Sequence, residues 1–171
     1  MNTFLFVFFL DAVIIFCLLR LLFEALHVLF DFEKTVVGSL CISAQGANGG
    51  EIFDTHFAET IDQKQLMTDL IIPSQSRMAF GGRVIARGGD CTHHFYHHQG
   101  FRFLNLIVRD ICSDFKLSVS LNSTGYPLEW KGSFTSSDSE LESIWHACAR
   151  TQTVCSLDAY VDTPWREQAQ W

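Results

Sequence analysis

The chain has 171 residues, of which 48% are hydrophobic and 18% charged, and its formal net charge is −7. This length accommodates one ordinary domain and part of another, and the apolar content is sufficient for a buried core. The acidic balance argues against a nucleic-acid-binding surface, because the sequence contains no basic stripe that could replace phosphate counterions.

The first 25 residues are strongly apolar. Between Phe4 and Leu19 the only polar side chain is Asp11. On the insertion scale an Asp near the middle of a span costs about 3 kcal/mol, less than the roughly 4–8 kcal/mol that the surrounding apolar residues return. Extended to Phe23, the segment approaches the length that a bilayer requires. Residues 1–25 are therefore predicted to hold a hydrophobic helix, with residues 4–23 as a candidate membrane anchor.

This N-terminal segment has two other interpretations. A cleaved signal peptide is less favoured, because the sequence has neither a basic n-region nor an Ala-x-Ala cleavage site. A wrongly assigned gene start is the third interpretation. The chain is expected to be membrane-associated or secretory only if the segment is genuine.

From about residue 26 the sequence has the pattern of β-strands. Residues 28–32 alternate, and residues 36–43 read as a strand that ends in the glycine-rich stretch 46–50. Residues 51–60 are expected to return as the second arm of a hairpin. Further strands are predicted at residues 77–87, 93–98, 101–108 and 115–121. Many short strands joined by glycine-rich turns favour an antiparallel β-sandwich, here residues 26–132.

The histidines and cysteines do not indicate a metal site. Four histidines occur close together, at His93, His94, His97 and His98. In a strand they would point to opposite faces in pairs and would not converge on one ion, so neither a metal nor a cofactor is predicted. The six cysteines have no CxxC spacing, and most are interpreted as small buried hydrophobic residues.

An amphipathic helix is predicted after residue 133. The stretch Ser137-Asp138-Ser139-Glu140 has the pattern of a capping box with Ser137 as N-cap. Apolar residues follow at helical spacing: Leu141, Ile144, Trp145, Cys148 and Cys155. This apolar face is wide enough to need a partner helix, which the sequence does not supply.

The last fourteen residues combine the side chains that sugar hydrolysis uses. These are carboxylates for proton transfer, planar groups that bind hydroxyls, and aromatic rings for the apolar face of a pyranose. Pro164 disfavours the helical conformation for Thr163, which puts Asp162 at the mouth of a turn or helix. The alternative is a plain helix start with a solvated acid, and composition alone favours it.

Residues 162–171, DTPWREQAQW, resemble the motif that opens the active site of α-L-rhamnosidases, family 78 of the glycoside hydrolases. That motif reads Asp-Cys-Pro-x-Arg-acid, followed by Trp or Tyr and Gly-Asp. Asp162, Pro164, Arg166 and Glu167 match it, while Thr163 replaces the usual Cys. Residues 29–38, 95–103 and 132–145 also resemble, in the same order, the family's sandwich and the start of its first barrel helix.

The resemblance implies a fragment of an inverting glycosidase that hydrolyses terminal α-L-rhamnosyl or similar deoxyhexosyl residues. Residues 133–171 would begin its six-hairpin (α/α)6 catalytic domain, with the rest and the catalytic base beyond Trp171. Glu167 would be the catalytic acid, and Asp162, Arg166, Trp165 and Trp171 would bind the sugar. In members with two consecutive acids after Arg, the acid falls where this chain has Gln168.

The chain by itself is expected to be inactive, because inverting hydrolysis needs two carboxylates. The rival hypothesis is a membrane-tethered carbohydrate-binding or interaction module without chemistry, and a truncated gene model is the third.

Overall fold

The computed structural model describes residues 18–22, 25–62, 67–68, 80–111 and 115–170. These ranges are mainly antiparallel β with one helix, as predicted. The strands are β1 Leu18–Leu22, β2 Ala25–Ala47, β3 Ile52–Ala58, β4 Ile61–Asp62, β5 Met67–Thr68, β6 Gly81–Ile85, β7 Gly89–His94, β8 Gln99–Arg109 and β9 Lys116–Ser123, and the helix is α1 Ser139–Val154.

Strand β2 is the element on which the sheet is built. Its 23 residues pair antiparallel with four other strands, β1, β7, β8 and β9. The sheet continues from β8 to β3 and from β3 to β6, which gives seven strands in one curled sheet. Strands β4 and β5 form a separate two-stranded ribbon.

A bulge divides β2 into two halves. The pairing with β8 shifts register between Asp31 and Val36, and Glu33 has a positive φ of 64°. The Asp31 carboxylate accepts the Glu33 N–H at 2.7 Å and two hydrogen bonds from Arg102 on β8, at 2.8 and 2.9 Å. One side chain therefore holds the bulge and ties it to the neighbouring strand, and a bulge of this kind bends and twists the sheet.

The core lies inside the curled sheet. Alternate residues of β2 are buried there, while β8 is buried almost continuously, as expected for a strand covered on both faces. Phenylalanine rings from separate parts of the chain meet in this core, with centroids 4.8 Å apart for Phe57 and Phe101 and 5.9 Å apart for Phe53 and Phe115. The core thus joins all the long strands into one body.

The hairpin predicted from residues 36–43 and 51–60 is wrong. Strand β3 pairs with β8 and β6 and not with β2. The turn between β2 and β3 is held open by Glu51, whose fully buried carboxylate accepts the N–H groups of Asn48 and Gly49 at 2.8 and 2.9 Å. Both Gly49 and Gly50 have positive φ, which only glycine adopts readily. The chain therefore leaves β2 and crosses to β8.

Part of the predicted N-terminal helix is instead a strand. Leu18–Leu22 is a strand that pairs with residues 25–29 of β2, and Ala25 begins β2 itself. The rest of the predicted segment lies outside the described residues. Of the helices in the described ranges, none combines the length and the apolarity that a membrane crossing requires.

Helix α1 begins one residue later than predicted. Its N-cap is Asp138 and not Ser137, because the Asp138 carboxylate accepts the Glu140 N–H at 2.9 Å. The Glu142 carboxylate reaches back to accept the Ser136 N–H at 2.8 Å, which ties the segment before the N-cap to the first turn of α1. Arg150 ties the helix to the bulge of β2 by donating to the Thr35 carbonyl at 2.6 Å.

The described cysteines are all free thiols, and their burial differs. Cys41 and Cys155 are buried, as predicted, whereas Cys148 is exposed on α1. Its exposure follows from the helix itself, since no α1 residue is buried. Within the described part of the chain, no three His, Cys, Asp or Glu residues are grouped to hold a metal ion.

Candidate active site

The rhamnosidase-like motif forms a closed loop after α1. Isolated β-bridges join Ser156 to Tyr160 and Val161 to Gln170, so residues 161–170 leave and return at the same point. We call residues 161–170 the acid loop. No regular helix begins at Pro164, where the sequence had suggested a turn or a helix start. The motif is therefore presented on a turn.

Thr163 organises the first part of the acid loop. Its hydroxyl accepts the N–H groups of both Arg166 and Glu167 at 3.2 Å, and its own N–H donates to the Glu167 carbonyl at 3.2 Å. A threonine is suited to this role because a side-chain oxygen can satisfy backbone donors that a turn leaves free. Thr163, which occupies the Cys position of the motif, thus fixes the backbone that carries Arg166 and Glu167.

Two of the predicted site residues are in direct contact. Arg166 Nη2 lies 2.7 Å from Glu167 Oε1, and both side chains are partly exposed.

The Asp162 side chain is exposed at the base of the loop. Its carbonyl oxygen accepts the Cys155 thiol at 3.8 Å. Burial raises the pKa of Cys155, and the nearby carboxylates of Asp162 and Glu59 raise it further, so the thiol stays protonated and can donate.

Of the two predicted tryptophans, Trp165 packs into the protein. The Trp165 ring packs against Phe80 at a centroid distance of 4.8 Å. Its Nε1 is buried and has no hydrogen-bond partner among the described residues. Trp165 therefore turns at least one face of its ring into the protein. Trp171 lies outside the described residues.

The acid loop rests on the sheet at the start of β8. Pro164 is buried against Gly100, and the Gln168 side chain donates to the carbonyl oxygens of Pro164 and His98 at 2.7 and 3.3 Å. The segment 95–98 that makes this contact was predicted to be part of a strand. It is instead the turn between β7 and β8, because the two strands pair with successive parts of β2.

Comparison with known proteins gives solved structures only, since no family model and no curated protein matches the chain. A family 78 rhamnosidase of Bacillus sp. GL1 is 25% identical with a TM-score of 0.74, and the match covers 91% of this chain and 16% of that one. The chain is built like part of a family 78 rhamnosidase.

Two further rhamnosidase structures have the same fold over most of the chain. The Klebsiella oxytoca rhamnosidase with rhamnose bound is 20% identical with a TM-score of 0.71, covering 85% of this chain and 30% of that one. The α-L-rhamnosidase from Dictyoglumus thermophilum is 17% identical with a TM-score of 0.65, covering 85% and 16%. The resemblance stated from the motif is thus confirmed, and the chain spans less than a third of the length of each rhamnosidase.

A groove missed by the sequence reasoning lies beside the acid loop of this rhamnosidase-like chain. It has a volume of about 360 Å³ and is lined by the segment after β9, including Tyr126, by the turn after α1, including Asp158 and Tyr160, and by Gln170 of the acid loop. Asp158, Tyr160 and Gln170 belong to the polar and aromatic stretch that the sequence singled out. Tyr126 is distant in sequence, and no pattern connects it to that stretch.

A larger cavity of about 550 Å³ lies elsewhere on the sheet. It lies between β6 and β7, which pair with different strands, and its lining includes the buried residues Ile42 and Phe53 and the arginines Arg83 and Arg87. No residue of the acid loop lines this cavity. The described candidate site is therefore the acid loop and the groove next to it.

Proposed function

We propose that the chain carries the general acid and sugar-positioning residues of an inverting glycosidase that hydrolyses terminal α-L-rhamnosyl or similar deoxyhexosyl residues. The observation that carries the proposal is the acid loop: Asp162, Arg166 and Glu167 lie on one turn, docked on a sheet with the fold of three rhamnosidases. One of these was solved with rhamnose bound, which supports a carbohydrate substrate.

In the proposed reaction Glu167 protonates the oxygen of the leaving group. A second carboxylate, about 6.5–9.5 Å away across the sugar, activates the attacking water. Besides Glu167, the acid loop has one other carboxylate, Asp162, which is assigned to sugar binding. The catalytic base would come from another part of a full-length protein, one as long as the matched rhamnosidases. The chain by itself would be inactive.

In this proposal Arg166 exchanges its ion pair with Glu167 for a contact with the sugar. In the structure its guanidinium is paired with Glu167, yet a general acid must carry a proton. The pair therefore has to open before proton transfer. A sugar hydroxyl or ring oxygen provides another acceptor for the guanidinium, so substrate binding would draw Arg166 away from Glu167. An exposed ion pair is worth only about 0.2–1 kcal/mol, which makes this exchange inexpensive.

The remaining assignments follow from the same loop. Asp162, exposed at the loop base, would accept hydrogen bonds from sugar hydroxyls. Trp165 packs on Phe80, so it would support the loop and offer the sugar only its remaining exposed surface. Trp171 is proposed as a second ring wall on the motif alone. Residues 26–132 would form the sandwich domain and residues 133–171 the beginning of the catalytic domain.

The test uses the longest open reading frame that contains residues 1–171. Its product is incubated with 4-nitrophenyl α-L-rhamnoside, and the first anomer of the released sugar is identified by proton NMR. Release of the inverted anomer, abolished by Glu167→Gln, supports the proposal. A product that binds rhamnosides without hydrolysing any of them favours the alternative, a non-catalytic carbohydrate-binding module.

A further inference from the structure

The groove beside the acid loop is a concave site built from two chain segments. The segment after β9 contributes Tyr126 and Leu128, and the turn after α1 contributes Ser156, Asp158 and Tyr160, while Gln170 of the acid loop also lines the groove. We call it the tyrosine groove. Its volume of about 360 Å³ is within the range of small-molecule sites.

Backbone hydrogen bonds hold the two walls of the groove together. The Tyr126 N–H donates to the Ser156 carbonyl at 2.9 Å, which connects one wall directly to the other. Within the second wall the Leu157 N–H donates to the Ala159 carbonyl at 3.0 Å, and Ser156 forms a bridge with Tyr160. Main-chain pairing therefore fixes the backbone positions of the two walls.

The chemistry of the lining selects for a neutral, hydroxyl-bearing ligand. Tyr126 and Tyr160 are 59% and 65% exposed, so each offers both an apolar ring face and a phenol. The Asp158 carboxylate accepts hydrogen bonds, and the Gln170 amide both donates and accepts. The groove has no lysine, arginine or histidine in its lining, which leaves an anionic ligand without a counter-charge. Aromatic rings beside planar hydrogen-bonding groups suit a pyranose ring.

The groove is joined to the acid loop by the backbone. Tyr160 directly precedes the loop, and the bridge between Val161 and Gln170 puts a groove residue at the loop's closing point. We propose that the tyrosine groove binds a second, neutral saccharide unit of the glycoside whose terminal sugar occupies the acid loop. This inference rests on the proposed function, because it takes the two sugars to belong to one substrate.

The test measures saccharide binding by the full chain with isothermal titration calorimetry. The probes are methyl α-L-rhamnoside and a rhamnosyl-glucose disaccharide. Tyr160→Ala and Asp158→Asn remove the groove's ring and carboxylate, and Tyr96→Ala is the matched control, since Tyr96 is 93% exposed and lies outside the groove. We expect the disaccharide to bind roughly tenfold more weakly to both groove variants and unchanged to the control.

Three results would overturn the groove proposal: no disaccharide binding by the unaltered chain, equal binding by the groove variants and the control, or a loss caused only by Asp162→Asn. The last result would leave the proposed function in place, since it would assign all binding to the acid loop. Circular dichroism checks that Tyr160→Ala is folded, and Asp158→Asn, which preserves shape, serves if it is not. Groove binding that persists in a longer product unable to hydrolyse rhamnosides would instead reject the proposed function alone.

Discussion

Gly100 at the start of β8 lies so close to Pro164 of the acid loop that a Cβ atom on Gly100 would come within 2.6 Å of Pro164 Cβ. A Cβ would be nearer still to the Pro164 carbonyl oxygen. The sheet and the candidate catalytic loop therefore meet at a position where only glycine fits. The hydrogen bond from Gln168 to the His98 carbonyl, at 3.3 Å, lies beside this contact.

We expect Gly100→Ala to displace the acid loop from the sheet. Inserting a methyl group into a tight contact costs roughly 1–3 kcal/mol, which urea denaturation followed by circular dichroism would detect. The matched control is Gly132→Ala, because a Cβ at Gly132 meets no atom within 4 Å. Faster amide exchange in residues 161–168 of Gly100→Ala would locate the effect. Equal stability and exchange in the two variants would contradict the docking described above.

The Asp31–Arg102 pair predicts a dependence of stability on pH. The hydrogen bonds from Arg102 lower the pKa of Asp31 against a smaller opposing effect of burial. The stabilising contribution is therefore present above the unfolded pKa of about 3.9 and is lost as the pH falls through the lower folded value. Since both side chains are partly exposed, we expect no more than about 1 kcal/mol.

The measurement is the free energy of unfolding in urea at pH 7 and pH 3. Asp31→Asn should reduce the difference between the two pH values, whereas Glu129→Gln, which removes an exposed acid after β9, should not. An undiminished difference in Asp31→Asn would mean that the pair does not hold the bulge of β2.

Local patterns in the sequence predict single elements of this fold, whereas its long-range strand pairings do not follow from them. Alternation in residues 28–32 identifies part of β2, and the motif identifies Asp162, Arg166 and Glu167 as neighbours on a turn. The crossing of β3 to β8 could not be predicted, because it depends on buried Glu51 holding an open turn and on pairings between residues far apart in sequence.

Long-range packing also explains which features of the candidate site could not be predicted from the sequence. Tyr126 and Tyr160 line the same groove because the Tyr126 N–H meets the Ser156 carbonyl, a contact for which no local pattern exists. The inward packing of Trp165 likewise depends on Phe80, which is remote in sequence. Residue types indicated the chemistry, whereas the partner of each ring was decided by tertiary packing.

The exposed apolar face of α1 should limit solubility. Leu141 and Ile144 are about half exposed, and no α1 residue is buried. Contiguous apolar surface of this kind favours association. We expect Ile144→Ser to raise the concentration at which the chain aggregates, and Ala147→Ser, also at an exposed α1 position, to have little effect. Light scattering over a concentration series measures both, and equal behaviour of the two variants would argue that this face does not drive association.

Amide hydrogen exchange measures how readily α1 opens. We expect amides of α1 to exchange faster than those of the buried strands β2 and β8, because few tertiary contacts oppose local opening of the helix. Exchange in α1 as slow as in β8 would show that the helix is held by the sheet more firmly than the Arg150 contact suggests.

Asp162 and Glu167 should give different kinetic signatures in a hydrolytically active product that contains this chain. Asp162→Asn removes a positioning contact, so we expect a higher KM and a lower kcat/KM for glycosides of good and poor leaving groups alike. Steady-state kinetics on a nitrophenyl and an alkyl α-L-rhamnoside would check this. A loss confined to the poor leaving group would instead assign proton donation to Asp162.

The proposal that Glu167 is the general acid is tested most directly by Glu167→Gln assayed on the same two rhamnosides. Proton donation is essential for the alkyl leaving group and much less so for nitrophenolate, which departs with little help. We therefore expect turnover of the alkyl glycoside to fall by roughly 10²–10⁴-fold and turnover of the nitrophenyl glycoside to fall far less. Equal losses on both substrates, in a variant with unchanged circular dichroism, would contradict the assignment of Glu167 as the acid.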